Sequence, residues 1–249
     1  MRAARLPGAL VALVILFAVC PAAAAQQADV PVLATGGPMP DAWIDEDTGH
    51  RVVRISRRDG SSRSFYFHNR PFLEKADGSG HLMVYYGSTD HGSQLYVLDL
   101  ETLESRQLTD HPGRIYGEIL GPERREVFYQ TRDTVFATHV DTGETRVVFV
   151  YPEGFRGSVA TLNADETLLA GGMLAEEPRG AGGFEGTFEA RTLRRIFTVD
   201  VETGAYAEHH EERAWLNHFQ FSPTDPDLLM FCHEGPWHRL DRIWTVDLA

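Results

Sequence analysis

The sequence predicts an all-β chain, a β-propeller of four-stranded blades in an incomplete or open ring, and three observations carry that expectation. First, short apolar segments alternate with turn signals every 8 to 12 residues or so through most of the chain. Second, one strand-into-turn element recurs, as V-L-D-L-E-T at 97–102, T-H-V-D-T-G at 138–143, V-D-V-E-T-G at 199–204 and V-D-L at 246–248. In each, an acidic residue, Thr and often Gly supply hairpin turn geometry. Third, equivalent positions 99, 139, 200 and 247 are separated by 40, 61 and 47 residues, and two of these intervals match the ~40–50 residues of a propeller blade.

Taken in order, residues 26–45 are rich in Pro, Gly and Ala and read as a loose lead-in. Asp47-Thr48-Gly49 turns through His50 into Arg51-Val52-Val53-Arg54-Ile55, an orphan outer strand. Phe65-Tyr66-Phe67 and Pro71-Phe72-Leu73 flank a polar His68-Asn69-Arg70, and Leu82-Met83-Val84-Tyr85-Tyr86 is a fully apolar strand. Inner strands recur at Ile115-Tyr116-Gly117, Ser158-Val159-Ala160 and Asn217-His218-Phe219-Gln220. A turn and a second strand follow each one: Val127-Phe128-Tyr129, Leu168-Leu169-Ala170 and Leu228-Leu229-Met230-Phe231. The firmest repeat is R-I-F-T-V-D-V at 195–201, which returns as R-I-W-T-V-D-L at 242–248. The 61-residue interval holds an insertion, Glu176 to Phe184, expected to be a mobile polar loop. About four blades and the orphan strand are expected from 46–249, and the last blade lacks a fourth strand, so the chain is expected to be truncated.

Composition sets further bounds. Arg2 and Arg5, an apolar run over 6–19 and the alanines before Gln26 describe a secretory signal over 1–25. The rival reading is an uncleaved anchor, against which the run falls short of the ~20 residues a bilayer demands. Export to the periplasm or beyond is expected, with no membrane span in the mature chain. Cys232 is then the single mature cysteine, so packing rather than an internal disulfide must hold the core. A formal net charge of −13 argues against nucleic acid.

Acid/base groups concentrate in one stretch, with Arg194-Arg195 opening a strand, W-L-N-H at 215–218 and C-H-E-G-P at 232–236. The last two motifs resemble the W-L-G-H and C-H-E-G-P signatures of the oligogalacturonate lyases, a polysaccharide lyase family built on a seven-bladed propeller. Weaker likeness lies in D-T-G-H-R-V-V-R-I-S at 47–56, L-D-L-E-T-L at 98–103 and R-I-F-T-V-D-V-E-T-G at 195–204. The resemblance covers roughly residues 46 to 249.

It implies pectin breakdown by β-elimination across the glycosidic bond of an oligogalacturonate or a related uronate oligosaccharide. A base poised near neutrality removes the proton beside the uronate carboxylate, and cations absorb the developing charge. By resemblance, His218 occupies the base position and Arg195 that of the charge-neutralising arginine. Arg194 is a rival, because alternate strand residues face opposite sides. His233 and Glu234 are candidates for lining the substrate, or for stabilising the Gly235-Pro236 turn. The resemblance also implies Mn²⁺ or another divalent cation, whose family ligands lie on blades beyond Ala249, so poor turnover is expected of the chain as it stands. Two alternatives stay open. His218 could be a structural residue of an inner strand, and the whole could be a non-catalytic exported propeller of TolB type that binds protein or glycan.

Overall fold

The computed structural model describes residues 39–180 and 182–249, so the expected signal segment lies outside the described residues. The chain divides into two units, 1–54 and 55–249. Of the first, an antiparallel hairpin is described, β1 (Ala42–Ile44) against β2 (Arg51–Val53). The strand expected to be an orphan therefore has a partner, formed from residues read as loose lead-in. Asp45 closes the turn by accepting from the Thr48 amide and hydroxyl at 2.9 and 2.6 Å.

The second unit is four antiparallel sheets in sequence order. The first holds β3 (Ser62–Arg63), β4 (Phe72–Glu74), β5 (His81–Thr89), β6 (Gly92–Asp99) and β7 (Ser105–Gln107). The second runs β8 (Tyr116–Gly121), β9 (Glu126–Gln130), β10 (Thr134–His139) and β11 (Thr145–Val150). The third is β12 (Gly157–Leu162), β13 (Leu168–Leu174), β14 (Arg194–Asp200) and β15 (Tyr206–Glu212). Three strands make the fourth, β16 (Leu216–Phe221), β17 (Leu228–His233) and β18 (Ile243–Asp247). These are the blades the repeats predict, and the ring they begin is not closed. The insertion is not all loop: Gly183–Ala190 forms the helix α1. Phe184 and Phe188, one turn apart, give it an apolar edge, and Arg239 ties Glu185 and Glu189 at 2.9 and 2.8 Å.

Apolar clusters lie between successive sheets. Tyr86, Leu95 and Val97 of the first pack against Val127 and Tyr129 of the second. Phe128 and Val135 of the second meet Leu169, Phe197 and Val199 of the third. Ala170 and Ile196 of the third meet Leu216, Phe219 and Leu229 of the fourth. Each fully buried Leu or Phe contributes about 1.5–3 kcal/mol, whereas exposed ion pairs such as Arg156–Glu177 contribute about 0–1. Inter-sheet packing therefore dominates, as a core without disulfides requires. Polar links fix the register between sheets. Buried Gln130 donates to the Val159 carbonyl at 3.0 Å and accepts from the Tyr151 hydroxyl at 2.6 Å.

Two local devices position the site. The innermost strand of the first sheet is split into β3 and β4, and the intervening stretch carries Tyr66, His68 and Asn69. That stretch is pinned to the second sheet by buried Glu118, whose side chain accepts from the Tyr66 amide at 3.2 Å and whose carbonyl accepts from Asn69 Nδ2 at 2.9 Å. The second device is a bulge in each inner strand: pairing skips between Tyr116 and Ile119 in β8 and between Asn217 and Gln220 in β16. At the first bulge Gly117 adopts φ 72°, and at the matching position of β16 stands His218, with φ 50°.

Candidate active site

A histidine in the left-handed region is uncommon, and such outliers concentrate where the surrounding structure holds a side chain in place for use. His218 fits that description. Its Nε2 lies 2.9 Å from Oε2 of Glu234, a buried carboxylate. The other oxygen of Glu234 receives Arg242 Nη1 at 3.1 Å. Asn217 Nδ2 also donates to Oε2 of Glu234, at 3.5 Å. The backbone reinforces the arrangement, since the Glu234 amide donates to the Trp215 carbonyl at 2.8 Å.

His218 opens onto a cavity of about 360 Å³ that also takes in Tyr66, His68, Gln220 and Arg242. The Tyr66 ring lies nearly parallel to the imidazole, with centroids 6.4 Å apart and planes at 14°. His68 stands edge-on at 6.4 Å. Burial, and secondarily the neighbouring His218, push the pKa of His68 below its usual value, so its ring is neutral near pH 7.

The structure separates the two adjacent arginines. Arg195 reaches along its own blade to Glu208 at 2.9 Å and to Glu211, so its guanidinium is already neutralised by two carboxylates of β15. Arg194 turns to the opposite face, where it lies 5.8 Å from the Trp215 ring. It is half-buried, no carboxylate lies within ion-pair distance among the described residues, and burial lowers its pKa. Glu234 meets His218, but His233 does not. His233 Nε2 lies 2.9 Å from Glu212 Oε2, which also meets His210 Nε2 at 3.1 Å, and its ring stacks on Trp244 at 4.9 Å. His210 is thus one of two imidazoles on a single carboxylate.

Tyr66, His68 and Arg242 were not singled out by the sequence. For Arg242 a signal existed, because it occupies in R-I-W-T-V-D-L the place Arg195 holds in R-I-F-T-V-D-V. Tyr66 and His68 carried none, since only the split inner strand brings them across from the first sheet to the fourth.

The profile of the family described as oligogalacturonate lyase matches residues 39–248. The chain belongs to that family. It is 27% identical over 213 residues to the oligogalacturonate lyase of Dickeya dadantii, a match covering 82% of this chain and 54% of the relative. Its identity to the oligogalacturonide lyase of Pectobacterium atrosepticum is 27% over 227 residues, covering 86% of this chain and 57% of the relative. A structure of an oligogalacturonate lyase in complex with manganese is similar, with a TM-score of 0.73, 28% identity and coverage of 83% of this chain and 56% of that one. The chain thus spans about half the length of the curated family members it matches.

Among the described residues, no group of three or more His, Cys, Asp or Glu side chains is placed to hold a metal ion. His210 and His233 both direct Nε2 at one carboxylate oxygen of Glu212. These residues do not fit the manganese ion of that relative's complex. No helix among the described residues is long and apolar enough to cross a membrane.

Proposed function

We propose that this protein cleaves short galacturonate oligomers by β-elimination, with His218 as the base. What carries the proposal is the His218–Glu234–Arg242 chain of contacts, at 2.9 and 3.1 Å, in the wall of a cavity within a fold of the oligogalacturonate lyase family. The His218 imidazole takes the proton from the carbon beside the uronate carboxylate. The electron pair left behind forms the carbon–carbon double bond, the bond to the glycosidic oxygen breaks, and that oxygen leaves with the electron pair and takes up a proton. Glu234, 2.9 Å from the ring, presents a carboxylate to the imidazolium as it forms.

The developing charge on the substrate carboxylate calls for a guanidinium without a carboxylate of its own. Arg194 meets that requirement, whereas Arg195 is bound by Glu208 and Glu211. A local cation matters in a chain of net charge −13, which otherwise repels a polyanion. The basic, apolar and Ala-rich sequence of residues 1–25 supports export as the setting in which the protein works.

The test is the ultraviolet absorbance of the unsaturated product from digalacturonate and trigalacturonate, with Mn²⁺ supplied. Product should form, and His218→Ala should lose about 10²–10⁴-fold in rate. A parent protein that binds the oligomers and releases no unsaturated product would instead be a binding propeller, and the lyase reading would be abandoned.

A further inference from the structure

A second cavity, of about 200 Å³, is lined by Phe188 and Glu189 of helix α1 and by Glu234, the residue that contacts His218. Its walls include Phe188, Arg191, Arg213, Trp215, Glu234 and Arg239. Every carboxylate facing it already has a partner. Glu189 is held by Arg239 at 2.8 Å, Glu212 by His210 and His233, and Glu234 by His218 and Arg242. Arg213 is likewise committed, to Glu176 at 2.6 Å. That leaves Arg191, which is exposed and has no carboxylate within ion-pair distance among the described residues. Its Nε donates to the Arg213 carbonyl at 3.3 Å, which orients the fork while leaving its terminal nitrogens open.

Arg191 also sits where a glycine is expected. It caps the C-terminus of α1 with φ 44° and ψ 44°, left-handed values that helix ends ordinarily assign to Gly or Asn. A β-carbon at such a position is strained, so the side chain is retained against a local cost. Beside it, the half-exposed Trp215 indole is flanked by Phe184, with centroids 5.5 Å apart, and by Arg194. A flat aromatic ring next to an uncommitted guanidinium suits one ligand class, a sugar with an apolar C–H face and a carboxylate.

We propose that this cleft binds a uronate unit of the oligosaccharide outside the pair being cleaved, with its carboxylate on Arg191 and its ring against Trp215. This rests on the lyase reading of His218. Glu234 lines this cleft and its carboxylate lies 2.9 Å from His218, which lines the first cavity, so a third sugar would occupy the cleft while the scissile pair lies at His218.

The experiment is calorimetry with digalacturonate and trigalacturonate on the full chain carrying His218→Ala, to prevent turnover, with and without Arg191→Gly. Glycine suits the left-handed backbone, so the variant keeps the fold, and unfolding curves check that it does. Trimer should bind more tightly than dimer, and Arg191→Gly should weaken the trimer by about 10- to 100-fold while leaving the dimer unchanged. Equal loss for both lengths would place Arg191 on the reacting sugars and overturn the subsite, as would no loss for either. Cleavage is assayed separately with His218 and Arg191 intact. Failure there removes the lyase reading, whereas cleavage combined with unaltered trimer affinity removes only this proposal.

Discussion

Glu234 reaches out of the turn after β17 and meets the imidazole of His218 on β16 at 2.9 Å, while Arg242 holds its other oxygen at 3.1 Å. The pair is formed across a bulge, and it holds the imidazole against a buried carboxylate. Glu234→Gln preserves shape but removes the negative charge and allows the amide to present its NH₂ to the ring. Turnover should fall about 10²-fold through misorientation, with KM nearly unchanged. Leaving Arg242 without its counter-charge should cost about 1–3 kcal/mol of stability. Steady-state kinetics beside urea unfolding check both, and a loss confined to stability would remove the orienting role.

Arg194 and Arg195 should separate cleanly. Arg195→Ala deletes pairs with partly exposed Glu208 and Glu211, so stability should hardly change and cleavage should persist. Arg194→Ala should lower kcat/KM by about 10- to 100-fold, the worth of a charged hydrogen bond. The reverse ranking would return the charge-neutralising role to Arg195.

Gly171 on β13 tests the packing of the third sheet. A β-carbon there would lie 1.9 Å from the Ser158 carbonyl oxygen of the adjacent strand, a backbone atom that cannot swing aside. Gly171→Ala should cost about 1–3 kcal/mol, read as a lower Tm. An unchanged Tm would mean that β12 and β13 are not this close.

Glu176 should shape the acid limb of stability. The Arg213 guanidinium, with help from the Leu193 amide, holds its pKa down to about 2 against an ordinary value of 4.5. A carboxylate depressed on folding contributes stability that is fully present above pH 4.5 and lost as pH falls through about 2. The stability difference between the parent protein and Glu176→Gln should therefore shrink across that window. A difference constant from pH 6 to pH 2 would show that the charge on Glu176 is not responsible.

Much of the fold was legible because a propeller repeats itself. The Asp-Thr-Gly turns and the paired R-I-F-T-V-D-V and R-I-W-T-V-D-L strands marked blade after blade before any contact was known. The helix was hidden at the end of an insertion whose glycines and Pro178 read as loop, because its stabilising partner, Arg239, lies 50 residues on from Glu189. At the site, His218 and Glu234 stood in motifs, but their bond did not, since it depends on the bulge in β16. The divergence of Arg194 from Arg195 was foreseeable as an alternation. Which of them turned towards Trp215 was not, because that depends on which face of β14 meets the next sheet.

The kink in β16 carries a lesson about durability. In the second blade the corresponding bend is made by Gly117, which tolerates it freely, whereas the fourth blade bends at an imidazole. A left-handed backbone on a residue with a β-carbon forfeits roughly 1–2 kcal/mol. Had selection acted on heat resistance alone, position 218 would hold glycine, and His218→Gly should accordingly melt later than its parent while becoming inert. The least comfortable residue of the sheet would then be its most useful one.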